Sequence, residues 1–157
     1  MAAPATPLLS SALGWLLWSL LVGGLANRLP PSWLAGGRSP SAPVLQRESP
    51  ERYEQLVAIR RWKPWLPDAG AALPGGVRKA SLVRRDRARL ERLRLETRRA
   101  ELVHRALWPF WIITALWLPP AGVVINLIFA TVFNLPCLLV QRYNRLRLER
   151  LLRRLRA

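Results

Sequence analysis

Residues 106–141 read ALWPFWIITALWL, then Pro119-Pro120, then AGVVINLIFATVFNLPCLLVQ: thirty-six positions without a charged side chain. Proline has no backbone N–H and its ring clashes with the preceding turn, so two in succession end one helix and open another. The stretch therefore predicts a helical hairpin. Its second arm, 121–140, is long enough to cross the roughly 30 Å of a bilayer's hydrocarbon. The first arm, 106–118, is too short to cross alone; it is expected to continue the preceding helix into the lipid, tilted or incompletely crossing. Trp108, Trp111 and Trp117 suit the membrane–water boundary, where amphipathic rings are favoured.

A second apolar run covers residues 7–26, with Leu8, Leu9, Leu13, Trp15, Leu16, Leu17, Trp18, Leu20, Leu21 and Val22. It too is a full-length span. A cleaved secretory signal is the rival reading, but no Lys or Arg precedes Arg28 to form a basic n-region. The 157 residues carry 25 Lys+Arg against 9 Asp+Glu, a net charge of +16, yet 51% are hydrophobic. A soluble surface that basic repels itself, so either nucleic acid or a membrane must reconcile the two properties. Segregation favours the membrane: 18 Lys/Arg lie in 28–105 and 7 in 142–157, outside both apolar runs. All charge falls on one side if the N-terminus and the Pro119-Pro120 turn share the other. Lys and Arg near span ends stay cytoplasmic, which predicts a multi-pass protein of the cell membrane with its N-terminus outside. The expected fold is all-α: one small integral membrane domain over 1–157 with about three membrane-embedded helices and basic cytoplasmic helices. The membrane is then the partner, and no nucleic acid is expected. One cysteine, Cys137, excludes a disulfide scaffold, and one Cys with one His gives no metal cluster.

The cytoplasmic connection, 28–80, opens with a Pro-, Ser- and Gly-rich stretch to residue 50 that reads as irregular. Ser49-Pro50-Glu51 then has the marks of a helix start: a capping serine, proline at the first helical position, an acid in the first turn. Tyr53, Leu56 and Val57 give that helix an apolar stripe. Arg60-Arg61-Trp62-Lys63-Pro64-Trp65 suits a helix end on anionic headgroups, and 67–76 is a turn-rich break. A basic helix is expected from about 81 into the first arm, ending at 118. Leu90, Leu93, Thr97, Ala100, Glu101 and His104 fall on one narrow arc, with Arg85, Arg89, Arg92 and Arg99 mostly elsewhere. The last span continues as a basic helix to 156, with Leu146, Leu148, Leu151, Leu152 and Leu155 between arginines. Two such helices leaving one hairpin on the same side can pair.

Glu101 and His104 are the residues best suited to chemistry. At i and i+3 they are neighbours on a helix, and a carboxylate there can fix the tautomer of an imidazole acting as general base. An ordinary surface contact accounts for the same spacing. Gln141-Arg142-Tyr143-Asn144-Arg145 follows a span directly; its arginines can fork onto a carboxylate or phosphate, and its amides can donate to a developing oxyanion. A positive-inside stop signal explains Arg142 and Arg145 but not Gln141, Tyr143 or Asn144. Asn126 and Asn134 lie in the hydrocarbon region, where they either bond a neighbouring helix or line a substrate groove. Pro136 is expected to free a carbonyl near Asn134. The chain has no G-x-S-x-G elbow and no phosphate-loop glycines, and His104 is followed five residues later by Pro109 rather than the acid of an HxxxxD box.

Several strings taken together resemble one family. They are Arg60-Arg61-Trp62-Lys63 with Asp68, Glu96-Thr97-Arg98-Arg99-Ala100-Glu101-Leu102-Val103-His104, Asn134-Leu135-Pro136, and Gln141-Arg142-Tyr143-Asn144-Arg145 with Arg147-Leu148. In order and spacing these resemble the glycosyl-4,4′-diaponeurosporenoate acyltransferases of staphyloxanthin-type carotenoid biosynthesis. The likeness covers nearly the whole chain and is clearest from Glu96 onward; Asn126 also falls where the family carries an asparagine. The resemblance implies a membrane enzyme that esterifies a sugar hydroxyl of a glycosylated C30 carotenoid acid with a fatty acyl group. It implies His104 and Glu101 as catalytic residues. Glu96, Arg99, Asn126, Asn134, Gln141, Arg142, Asn144 and Arg145 would bind substrate, and no cofactor is implied. Its partners are the lipid membrane, the glycosylated carotenoid acceptor and an acyl donor, acyl-CoA or acyl-carrier protein. Three short spans leave a monomer little room for a buried site, so a homo-oligomer is among the states allowed. Pro64 and an arginine-rich 77–95 segment depart from the family pattern and bear on which lipid is the acceptor.

Overall fold

The computed structural model describes residues 5–36, 48–66 and 87–155, and among them there are helices and turns but no strand. In chain order the helices are α1 (Ala5–Asn27), α2 (Pro31–Gly36), α3 (Pro50–Leu56), α4 (Ile59–Trp62), α5 (Arg87–Leu107), α6 (Phe110–Thr114) and α7 (Pro120–Arg154), with a 3-10 turn at Lys63–Trp65. Two of them, Pro7–Asn27 within α1 and Pro120–Arg154, are long and apolar enough to cross a membrane. The residues group into two compact units: Met1–Pro30 with Arg99–Leu139, and Pro31–Arg98 with Val140–Ala157.

In the first unit, α1 exposes Leu8, Leu9, Leu16, Leu17, Leu20 and Leu21, and α7 exposes Val124, Ile125, Ile128, Val132 and Phe133. In water these would form apolar patches far larger than a soluble surface carries; in lipid they are the contact surface. Two polar side chains at this level are closed onto the backbone of their own helix, as lipid favours. Thr131 Oγ1 donates to Leu127 O at 2.8 Å, and Asn126 Nδ2 donates to Gly122 O at 2.9 Å. Packing inside the unit is aromatic. Trp15 meets Phe110 and Phe129 edge-on at 4.8 and 5.2 Å, and Trp18 stacks on Phe110 at 5.6 Å. Gly14 lets the Phe110 ring approach, since a Cβ there would lie 3.0 Å from its Cζ.

The arm expected over 106–118 is not one helix. α5 stops at Leu107 because Pro109 offers no N–H to the Arg105 carbonyl and its ring collides with the turn before it. Only the five residues of α6 are helical beyond it, followed by turns to Leu118. The break leaves carbonyls without intrahelical donors, and Trp18 Nε1 donates to one of them, Ala106 O, at 3.1 Å. After the Pro119-Pro120 pair, Pro120 takes the first helical position of α7, where its missing N–H costs nothing, and Val123 N donates to Pro119 O at 3.1 Å.

In the second unit, α3 begins as expected: Ser49 is extended and its hydroxyl accepts from Arg52 N at 3.4 Å. The stretch read as irregular contains a helix, α2, with Leu34 fully buried; Pro31 followed by Ser32 is itself a helix-opening pair. Residues 37–47, the 67–76 break and the helix onset near 81 lie outside the described residues, as does Asp68. Ala58 turns the corner between α3 and α4 in a left-handed conformation, φ 47° and ψ 38°. The expected pairing of basic helices is present: Leu90 and Leu93 of α5 pack with Leu148 and Leu152 of α7, flanked by Leu151.

Candidate functional site

The first unit holds the imidazole. His104 is half-buried near the C-terminal end of α5, and its Nδ1 lies 3.1 Å from Asn134 Oδ1 on α7. Asn134 is buried, and its Nδ2 donates to Ala130 O at 2.9 Å. An amide that gives its N–H₂ to a carbonyl presents only acceptor lone pairs at its other end. His104 Nδ1 must therefore carry the proton in this contact. In the neutral ring the lone pair is then on Nε2, which has no hydrogen-bonding partner among the described residues.

The carboxylate expected to orient that imidazole is engaged elsewhere. Glu101, its side chain 4% exposed, accepts from Arg105 Nη2 at 2.5 Å, the i,i+4 pair on the same helix. Asn134 takes the orienting place instead. Spacing along α5 pointed to Glu101; a partner thirty residues away on another helix carries no local signal. Asn126 is closed on both sides: Oδ1 accepts from Trp15 Nε1 at 2.8 Å and Nδ2 donates to Gly122 O. That is the helix–helix bond anticipated as its simpler role.

The polar string 141–145 belongs to the second unit, and most of it is engaged there. Arg142 Nε donates to Glu48 Oε2 at 2.7 Å, and buried Arg145 pairs with Glu149 at 3.1 Å. Asn144 Oδ1 accepts from Lys63 Nζ at 2.6 Å, while its Nδ2 is shut away from solvent without a partner. Gln141 is half-buried and makes no side-chain hydrogen bond among the described residues. Glu96 and Arg99 are half-buried on α5.

Tyr143, 1% exposed, stands in the 141–145 string but is not among the residues expected to bind substrate, and it is central to this unit. Its hydroxyl donates to Glu54 Oε1 at 2.7 Å, and Lys63 Nζ and Arg147 Cζ lie 5.1 and 5.5 Å from its ring centre. Glu54 also pairs with Arg60 at 2.9 Å. Glu51 takes both ends of the Arg150 guanidinium, one contact at 2.9 Å. That hydrogen bonding holds the Glu51 carboxyl down at about 2 against an ordinary 4.5. Glu51 and Glu54 fall on one face of α3, one turn apart; this spacing beside an arginine-rich helix was the available signal. A cavity of about 510 Å³ opens among these groups, reaching Leu90, Leu93 and Thr97 of α5. Among the described residues no three His, Cys, Asp or Glu side chains converge as a metal would need.

Residues 31–154 match the family model described as Glycosyl-4,4'-diaponeurosporenoate acyltransferase. The chain belongs to that family. Its relatives include the glycosyl-4,4'-diaponeurosporenoate acyltransferase of Staphylococcus aureus strain MRSA252, 27% identical over 141 residues that make up 88% of this chain and 84% of the relative. The protein of that name from strain Newman is 26% identical over the same extent. No solved structure matches the chain. Membership makes the chain an acyltransferase of the staphyloxanthin-type carotenoid class. The matched residues take in both the His104–Asn134 pair and the Tyr143 network.

Proposed function

We propose that this acyltransferase esterifies a sugar hydroxyl of a glycosylated C30 carotenoid acid with a fatty acyl group, His104 serving as the base. The observation that carries the reading is the contact from Nδ1 to Asn134, which in the neutral ring puts the lone pair on Nε2, a nitrogen with no hydrogen-bonding partner among the described residues. Nε2 takes the proton of the sugar hydroxyl as that oxygen attacks the acyl carbonyl. The new C–O bond forms, the bond from carbonyl carbon to the donor's leaving atom breaks, and the imidazolium returns its proton to that atom. Asn134 orients the ring throughout. Glu101, tied to Arg105, sets the charge of the helix end rather than bonding the imidazole.

The acceptor's polyene fits the bilayer and its sugar the headgroup level, with the exposed leucine, isoleucine and valine faces of α1 and α7 in lipid. In this reading the N-terminus is outside, the basic segments are cytoplasmic, and 106–118 is embedded without crossing. The acyl donor is an activated thioester, acyl-CoA or acyl-carrier protein. Membranes supplied with glycosylated carotenoid and labelled acyl donor test the assignment. H104A is expected to lower ester formation by about 10²–10⁴-fold; full activity in a well-expressed H104A would overturn it. Lipid profiling of cells lacking the chain tests the acceptor, since loss of an ester from a different glycolipid would replace the carotenoid.

A further inference from the structure

The cavity in the second unit has a charge imbalance that its own side chains do not resolve. Its two acids are already matched, Glu51 with Arg150 and Glu54 with Arg60. Arg147 has only the Tyr143 ring, 5.5 Å away, and Arg154 has no ion pair among the described residues. Asn144 adds an N–H donor that no solvent reaches and no acceptor meets. Two guanidiniums and an orphaned amide donor on one cavity are the recognition set for phosphoryl oxygens, which accept several hydrogen bonds and fork onto arginine. The leucines of α5 and α7 form an apolar floor beside them, and about 510 Å³ lies within the roughly 300–1,000 Å³ of small-molecule sites.

We propose that this cavity binds the phosphate groups of the acyl donor through Arg147, Arg154 and the Asn144 side-chain amide. The proposal rests on the acyl-transfer reading only for the word donor; its test measures binding, so loss or retention of ester formation leaves it untouched. Phosphoryl groups reach such a site either as the pyrophosphate of coenzyme A or as the headgroup of a phospholipid. The full chain in neutral detergent is titrated with coenzyme A, with pyrophosphate and with dihexanoyl-phosphatidylglycerol. Saturable binding of the first two identifies a nucleotide thioester; saturable binding of the third alone keeps the phosphoryl site but replaces the thioester of the proposed function with a phospholipid. Against whichever binds, R147Q/R154Q is expected to weaken affinity roughly tenfold or more. R92Q/R153Q removes the same charge from exposed positions outside the cavity and should stay within about twofold. Circular dichroism and a monodisperse elution profile establish that both variants are folded. No saturable binding at millimolar ligand, or equal weakening by R92Q/R153Q, overturns the proposal.

Discussion

Asn134 is an amide inside an apolar helix, and both of its ends are used: one on the Ala130 carbonyl, one on His104. At metal-bound histidines, removing the partner that orients the ring typically costs about ten- to a hundredfold in activity. N134A is accordingly expected to lower kcat by about that factor with KM little changed, measured as ester formed per folded enzyme. Glu101 behaves differently. E101Q keeps the shape but leaves the Arg105 guanidinium without its charge partner, and about 1–3 kcal/mol of stability should be lost in a detergent melt. The sequence brought both residues into view, yet it could not rank them. The i,i+3 spacing of Glu101 and His104 is visible in one dimension, whereas the His104–Asn134 contact exists only once two helices pack.

Among the helices, α1 and α7 follow directly from hydropathy, and α3 from the Ser49-Pro50-Glu51 start. The segment between α5 and α7 does not. Counting uncharged residues hid Pro109, which sits where the helix would need an N–H for Arg105 O. Likewise the Pro- and Ser-rich composition after Arg28 concealed α2, since composition averages over the one pair that opens a helix. Contacts between helices give their own expectations. N126A leaves the Trp15 indole N–H without an acceptor in an apolar layer and should cost about 0.5–2 kcal/mol, read from thermal unfolding in detergent. G14L drives a side chain into the Phe110 ring and should cost about 1–3 kcal/mol in the same measurement.

Taken as one chain, the protein divides its charge from its grease along the sequence, and each part answers to a different variable. The basic part responds to pH. Because the Glu51 carboxyl is held at about 2 against an ordinary 4.5, its pairing with Arg150 stabilises the folded state above about pH 4.5, and that contribution is lost as pH falls toward 2. The difference in melting temperature between the native chain and E51Q should therefore shrink over that interval, by a few degrees at most for so exposed a pair. A gap that stays constant down to pH 2 would remove Glu51 from the account. The apolar part answers to sidedness. In a C137S background, A5C should react with an impermeant maleimide in intact cells and R153C only after permeabilisation; the opposite pattern would invert the proposed orientation.

The chain contains a single histidine, so its ring can be observed spectroscopically without any assignment problem. Selective ¹⁵N labelling of that ring yields one pair of nuclei, and in the neutral ring the contact with Asn134 requires the π nitrogen to bear hydrogen while the τ nitrogen resonates as a bare, pyridine-like atom. In N134A the two resonances should move toward the averaged positions of a freely exchanging imidazole. Nuclear magnetic resonance can thus report the proton's location before any substrate is added.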